Sequence, residues 1–136
     1  MIKTVIDTNV FVSGIFWKGP PHQVLEAWQE NRFRLVISLP IMEEYRRVVR
    51  ELASIHHEIG IDRILELVEL HADAVVPLEF LKPVCADPDD DKFLAAALTA
   101  GAQFVVSGDK ALLATNGYKG LRVLSPRKYL VALGRF

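Results

Sequence analysis

The stretch from Val84 to Asp109 constrains the fold most, because it combines a helix start, a helix end and a buried strand. Asp87 followed by Pro88 is typical of an N-cap and the first helical position. An alanine-rich amphipathic helix then runs to Gly101, where the chain is expected to turn. Residues 104–106 are all apolar, which is typical of a strand covered on both faces of a parallel sheet. The stretch therefore predicts a helix–strand unit with carboxylates at the helix start and the strand end.

The rest of the chain continues this alternation of strands and helices. Strands are expected over residues 2–6, 34–38, 74–77, 103–106 and 121–124. Helices are expected over 10–16, 22–30, 62–71 and 110–115, from residue 39 to a break between 53 and 62, and from 125 onward. This alternation predicts a three-layer α/β/α sandwich with a mostly parallel central sheet. A length of 136 residues predicts one domain over 1–136.

Composition excludes several classes of protein. Hydrophobic residues make up 51% of the chain and charged residues 24%, which excludes a disordered protein. A net charge of −1 gives no global basic field for nucleic acid, although local contacts stay open. The lone Cys85 excludes an internal disulfide and favours a reducing compartment. No apolar run approaches about 18 residues and Asp7 interrupts the N-terminal segment, so we expect a cytoplasmic protein without membrane contact.

Two acidic residues follow the ends of predicted strands, and a third lies on the buried side of a helix. Asp7 follows the first strand and Asp109 the fourth, so both are expected at the edge where the carboxyl ends of parallel strands meet. Glu44 lies three residues after Ile41 and four before Val48, which places it on the apolar stripe of its helix.

A fourth carboxylate comes from the helix that follows Pro88. Asp91 shares an apolar stripe with Leu94 and Leu98, so the helix phase predicts that it points along the buried face. Asp90 lies in the first turn, where the helix dipole alone explains a negative charge.

Four carboxylates at one edge need compensation. Two of them about 5 Å apart repel by roughly 3 kcal/mol at an effective dielectric constant near 20. Either their pKa values rise or a cation binds. Oxygen ligands without clustered Cys or His favour Mg²⁺ or Mn²⁺, and such a centre suits the hydrolysis of phosphodiester bonds. No Walker loop, GxGxxG motif or Ser-His-Asp arrangement suggests a competing chemistry.

Four segments in this order, IDTNVFVSG, SLPIMEEY, DPDDDKFLAAAL and FVVSGD, resemble the motifs of the PIN-domain ribonucleases. The resemblance spans nearly the whole chain and is closer to the bacterial and archaeal branch of toxin components of toxin–antitoxin pairs. It implies a single PIN-like domain that cleaves single-stranded RNA with Mg²⁺ or Mn²⁺. It also implies a homodimer or higher homo-oligomer and a small antitoxin protein as a partner.

The resemblance also assigns roles to individual residues. The acidic set that would bind metal and act in catalysis consists of Asp7, Glu44, Asp91 and Asp109. Asn9 and Ser107 match supporting polar positions, and Asp90 is an alternative as a water-mediated ligand, whereas the helix phase favours Asp91. RNA phosphates would be contacted by basic residues at the rim, namely Lys18, Arg46, Arg47, Arg50 and Lys110.

The leading hypothesis is thus a metal-dependent endoribonuclease, and two alternatives remain. One is a receiver-like signalling module with a Mg²⁺-bound phosphoacceptor; it needs an acid at the end of the middle strand, whereas the second strand ends in Ser38. The other is a catalytically silent PIN-fold module that binds a partner protein, against which the presence of all four acids argues.

Overall fold

The computed structural model describes residues 1–56 and 60–134. The strands are β1 (Lys3–Ile6), β2 (Arg34–Ile37), β3 (Asp73–Ala74), β4 (Phe104–Val106) and β5 (Arg122–Leu124). They form one sheet in the order β3-β2-β1-β4-β5, and every pair is parallel. The predicted three-layer α/β/α fold with a parallel sheet is confirmed.

Seven helices in the described part of the chain cover the sheet. They are α1 (Thr8–Phe16), α2 (Pro20–Gln29), α3 (Leu39–His56), α4 (Ile61–His71), α5 (Asp91–Ala100), α6 (Lys110–Leu113) and α7 (Pro126–Ala132). Single 3₁₀ turns occur over Pro88–Asp90 and Tyr118–Gly120. None of these helices is long and apolar enough to cross a bilayer.

The central strands β1 and β4 are buried because they carry consecutive apolar side chains. Val5, Ile6, Val105 and Val106 are fully buried, as expected for strands covered on both faces. Ile6 is paired with Val106, so both strands end at the same level. The backbone N–H of Asp7 continues this pairing, at 2.9 Å from the carbonyl oxygen of Val106. The residues that follow β1 and β4 therefore meet at one edge of the sheet.

Some element bounds differ from the prediction. Helix α1 begins at Thr8 rather than residue 10, because the Asp7 carboxylate caps it by accepting a hydrogen bond from Val10 N. Strand β3 is shorter than the predicted 74–77, because its partner β2 ends at Ile37 and the chain then enters α3. Helix α3 extends to His56 beyond the predicted break at residue 53, and residues 57–59 of that break lie outside the described residues.

Candidate functional site

A cavity of about 480 Å³ lies at the carboxyl ends of β1 and β4. Its lining consists of Asp7, Thr8, Asn9, Glu44, Ala86, Asp87, Asp90, Phe93, Asp109 and Ala111. We call this cavity the acidic pocket. Five of these ten residues are acidic and none is basic. The pocket contains three of the four predicted acids, Asp7, Glu44 and Asp109, together with the predicted supporting residues Asn9 and Asp90.

Asp7 is the most buried carboxylate of the pocket, with only 4% of its surface exposed. Burial raises the pKa of Asp7 to about 6, and the negative charges of Asp90 and Asp109 add to the rise. Two hydrogen bonds act in the opposite direction. The Ser107 hydroxyl donates to Oδ2, and Val10 N donates to Oδ1 at 2.9 Å. Asp7 is therefore held in one orientation but is costly to ionise without a nearby cation.

Asp109 lies across the sheet edge from Asp7 and also caps a helix. Its Oδ2 accepts a hydrogen bond from Leu112 N at 3.2 Å in α6. Its own N–H donates to Ser107 Oγ at 3.0 Å. The fully buried Ser107 therefore connects the two carboxylates: it donates to Asp7 and accepts from the backbone of Asp109.

The run from Asp87 to Asp91 contributes two carboxylates to the pocket, and Asp91 is not one of them. Asp87 caps the 3₁₀ turn by accepting from Asp89 N at 3.0 Å. Asp90 lines the pocket, where partial burial and the charges of Asp87 and Asp109 raise its pKa. The structure therefore brings Asp90, rather than Asp91, together with Asp7 and Asp109.

The Asp91 carboxylate instead binds the backbone of the preceding segment. It accepts hydrogen bonds from Val84 N at 3.0 Å and Cys85 N at 2.8 Å. Partial burial acts to raise the pKa of Asp91, but these backbone hydrogen bonds outweigh it and hold the pKa below its usual range. Asp91 thus fixes the segment that leads into the pocket.

The structure places Asp91 outside the pocket lining, whereas the helix phase predicted that it points to the site. Pro88–Asp90 forms a 3₁₀ turn, so α5 starts at Asp91 and not at the proline. Helix α5 is buried from Phe93 to Ala97, so Asp90 and Asp91 each lie three residues before a buried side chain, Phe93 and Leu94 respectively. The helix phase therefore does not distinguish the two acids, and the hydrogen bonds of Asp91 to the backbone of residues 84 and 85 account for its place outside the pocket lining.

Glu44 reaches the pocket from α3, which is anchored to the end of β1. The neighbouring Tyr45 is fully buried, donates its hydroxyl to the carbonyl oxygen of Ile6 and stacks on Phe11 with ring centres 4.0 Å apart. This anchor places Glu44 next to Thr8, whose hydroxyl donates a hydrogen bond to Oε1 of Glu44.

The second oxygen of Glu44 is occupied by a residue that the sequence analysis did not identify. The Lys92 ammonium binds Oε2 of Glu44 and also lies 2.8 Å from Oδ2 of Asp89. The Asp89 contact follows helical i, i+3 spacing and could have been read from the sequence. The Glu44 contact joins α3 to α5, so it depends on the fold.

The predicted RNA-contacting residues all lie outside the pocket lining. Lys18, Arg50 and Lys110 are exposed in the α1–α2 connection, on α3 and at the start of α6. Arg46 forms an ion pair with Glu69 of α4. The guanidinium nitrogen Nη1 of Arg47 lies 3.7 Å from the carboxylate oxygen Oε1 of Glu51.

Arg47 is also close to the acidic run. The hydrogen bond from Lys92, and more weakly the charge of Arg47, lower the pKa of Asp89. Among the predicted basic residues, Arg47 therefore has an electrostatic link to Asp89, the neighbour of the pocket residue Asp90.

The donor chemistry of the pocket fits a hard divalent cation. Asp7, Asp90 and Asp109 supply carboxylate oxygens, and no ion pair reaches them within residues 1–56 and 60–134. In the same ranges, no three His, Cys, Asp or Glu side chains already form a cluster that could hold a metal ion. The carboxylates must therefore move towards one another to coordinate a cation.

A larger cavity of about 780 Å³ lies elsewhere on the molecule. Its lining residues include Trp28, Phe33, Arg34 and His71, and none of them is a carboxylate. Because it lacks acidic oxygens, this cavity does not suit a hard cation. The acidic pocket is the better candidate site despite its smaller volume.

The protein is a parallel three-layer sandwich with carboxylates gathered at its strand ends. The model of the family described as PIN domain matches residues 3–111, so this chain belongs to the PIN domain family. PIN domains are generally nucleases that use divalent metals. Membership of this family separates the chain from receiver-like signalling modules.

Two known proteins are similar to this chain over nearly its whole length. The chain is 28% identical over 152 residues to "Uncharacterized protein MJ1680" of Methanocaldococcus jannaschii, an alignment that covers 99% of this chain and 94% of the relative. Its fold is similar to the crystal structure of PAE2754 from Pyrobaculum aerophilum, with a TM-score of 0.65 and 15% identity over 99% of this chain and 91% of the other. At that identity the structural similarity supports the fold alone.

Proposed function

We propose that this protein is a metal-dependent endoribonuclease that hydrolyses phosphodiester bonds in single-stranded RNA. One observation carries the proposal: Asp7, Asp90 and Asp109 line the same pocket. None of the described residues that line this pocket is basic. Carboxylates gathered in this way repel one another, and a divalent cation removes that repulsion. The same cation allows an acidic pocket to accept a polyanion.

The proposed metal ligands are the side chains of Asp7, Asp90 and Asp109. The chemistry that Mg²⁺ or Mn²⁺ supplies when bound is activation of a water molecule and neutralisation of charge on the phosphate oxygens. Asp7 is oriented for ligation by Ser107 and Val10 N. Asp109 is oriented by its bond to Leu112 N. These hydrogen bonds fix the orientation of Asp7 and Asp109, and the three carboxylates draw together when the cation binds.

Substrate contacts are proposed for side chains at the rim. Asn9 lines the pocket and is exposed, so its amide can donate to a phosphate or ribose oxygen. Arg47, Arg50, Lys18 and Lys110 can bind the phosphates that flank the cleaved bond. Arg46 contributes less, because Glu69 already neutralises its guanidinium. With a net charge of −1, the attraction for RNA is local rather than a property of the whole surface.

The biological setting follows from the resemblance to toxin components. We extend the proposal to a toxin in the cytoplasm, acting as a homodimer or higher homo-oligomer and held inactive by a small antitoxin protein. A lone cysteine agrees with a reducing compartment. Induced expression should arrest growth for the wild type but not for Asp109→Asn, and sedimentation should give a mass of at least two chains. Normal growth on expression of active enzyme would refute the toxin role.

The enzymatic proposal is tested with fluorescent oligonucleotides of single-stranded RNA, double-stranded RNA and single-stranded DNA. Each is incubated with purified protein in Mg²⁺, Mn²⁺ or EDTA, beside the variant Asp109→Asn. We expect cleavage of single-stranded RNA that requires metal and is lost in the variant. If the protein binds a partner but cleaves none of these substrates with either metal, the catalytically silent interaction module becomes the better interpretation.

A further inference from the structure

We propose that Lys92 is a built-in counter-ion that keeps Glu44 out of the metal-ligand set, so that Asp7, Asp90 and Asp109 alone bind the cation. This inference rests on the proposed function and deepens it, because it separates the acidic side chains of the pocket into two groups. One group binds metal, and the other is neutralised by the protein itself.

The first observation is that Glu44 has no unoccupied carboxylate oxygen. Oε1 accepts the hydroxyl of Thr8, and Oε2 is bound by the ammonium of Lys92. The side chain of Glu44 is only 17% exposed, so water has limited access to it. Both oxygens of Asp7 are also hydrogen-bonded, but by neutral donors, whereas Glu44 is bound by a cation. Ligation by Glu44 would bring a divalent cation close to the Lys92 ammonium in a partly buried site, and their repulsion makes this costly.

The second observation is that Lys92 is itself fixed. Its side chain is 13% exposed, and its ammonium also contacts Oδ2 of Asp89 at 2.8 Å. The ammonium further lies 5.2 Å from the centre of the Phe93 ring. A lysine on the protein surface samples many rotamers, whereas this one is held between α3 and α5 by two carboxylates.

The third observation is the contrast with the other acids. Within residues 1–56 and 60–134, no ion pair reaches Asp7, Asp90 or Asp109, although they line the same pocket as Glu44. The charge that a divalent cation can neutralise therefore lies on these three side chains and on Asp87, which also lacks an ion pair in these ranges but uses Oδ1 to cap the 3₁₀ turn. A positive ammonium beside Glu44 also repels a cation that approaches that side of the pocket.

A mutant cycle measured by Mn²⁺ calorimetry tests this division. Lys92→Met removes the ammonium and frees Glu44, so Mn²⁺ should bind about tenfold more tightly than to the wild type. The double variant Lys92→Met/Glu44→Gln removes the pair as a neutral unit, and its affinity should stay within about threefold of the wild type. Lys92→Arg keeps the charge and should bind like the wild type.

Two controls accompany the cycle. Lys128→Met removes an exposed positive charge on α7 and should leave Mn²⁺ affinity unchanged. Asp90→Asn removes a proposed ligand and should weaken binding by about tenfold or more. If Lys92→Met fails to fold because Glu44 is left unpaired, the double variant still decides. It leaves only Asp89 without its partner, and the Asp89 side chain is 72% exposed to water.

The outcomes separate the inference from the proposed function. A tenfold loss of affinity in the double variant would make Glu44 a direct ligand and overturn the inference, while loss of binding in Asp90→Asn would leave the proposed function standing. Wild-type affinity in folded Lys92→Met would also overturn the inference. Equal Mn²⁺ binding by wild type and Asp90→Asn would overturn both.

Discussion

The hydroxyl of Ser107 donates a hydrogen bond to the buried carboxylate of Asp7, and this contact joins the ends of β4 and β1. Ser107 is fully buried, and its oxygen also accepts the N–H of Asp109 at 3.0 Å. One small side chain thereby sets the relative position of two proposed metal ligands.

Replacing Ser107 with alanine should destabilise the protein, because the substitution leaves Asp7 with one hydrogen bond fewer and Asp109 N without its partner. We expect a loss of about 1–3 kcal/mol in the free energy of unfolding. Urea denaturation in EDTA measures this change in the free energy of unfolding. The control is Ser54→Ala, on the exposed side of α3. Equal midpoints for Ser107→Ala and the wild type would contradict this role for Ser107.

The buried charge of Asp7 predicts a pH dependence for the metal-free protein. Burial raises the pKa of Asp7 to about 6, above the value of about 3.9 for an unfolded chain. The folded state thus holds this proton more tightly, so the contribution of Asp7 to stability falls as the pH rises from about 4 to about 6.

Asp7→Asn should therefore be more stable than the wild type at pH 8 in EDTA, by on the order of 2 kcal/mol, and lose that advantage at pH 4. The amide can still accept the hydrogen bond from Val10 N, so the α1 cap survives. Thermal unfolding at both pH values measures the difference. A wild type that is more stable than Asp7→Asn at pH 8 without metal would show that burial of this charge is not costly.

The contacts of Asp91 predict the reactivity of a thiol. Cys85 is 5% exposed, and burial, together with the adjacent Asp91, raises the pKa of its thiol to about 12. The thiol should react slowly with a disulfide reagent at pH 8. Asp91→Ala removes the acceptor for Val84 N and Cys85 N, so labelling should accelerate by about tenfold or more as the segment loosens.

Asp90→Ala is the matched control for this labelling, because Asp90 does not bind the backbone N–H of Cys85. Its rate should stay close to that of the wild type. Equal labelling of all three proteins would mean that Asp91 does not hold this segment in place.

The packing of α1 against α2 predicts an intolerant glycine. A Cβ at Gly14 would lie 2.7 Å from the carbonyl oxygen of Pro21 and 2.8 Å from Cδ1 of Leu25. Gly14→Ala should therefore cost about 1–3 kcal/mol of stability. Gly108→Ala meets no atom within 4 Å and serves as the control in the same denaturation experiment. Similar midpoints for the two variants would indicate that α1 and α2 pack less closely.

The fold and half of the pocket follow from local sequence patterns. A run rich in β-branched residues predicted β1, and three consecutive apolar residues predicted β4, because such residues suit a central parallel strand. Asp7 and Asp109 follow these strands directly, and the parallel arrangement brings their positions together. The position of Glu44 could be predicted because its helix has a well-defined apolar stripe, in which Ile41 and Tyr45 are fully buried.

The remaining features depend on information that local patterns lack. The phase of α5 could not separate Asp90 from Asp91, because all residues from 93 to 97 are buried and the contacts of Asp91 with the backbone of residues 84 and 85 depend on the fold. The N-cap role of Asp7 was missed because the first helix was expected to begin at residue 10 rather than directly after Asp7. The ion pair of Lys92 with Glu44 requires the relative position of α3 and α5, which the tertiary fold alone determines.

The neighbouring residues Asp90 and Asp91 provide the most direct test of the central claim, that carboxylates in the acidic pocket bind the metal that cleaves RNA. The measurement is the rate of Mn²⁺-dependent cleavage of single-stranded RNA by the wild type, Asp90→Asn, Asp91→Asn and the exposed control Asp62→Asn, each below its unfolding temperature. We predict a loss of about 100-fold or more for Asp90→Asn, and rates within about threefold of the wild type for the other two variants. Full activity in Asp90→Asn, or its loss in Asp91→Asn alone, would contradict the proposed site.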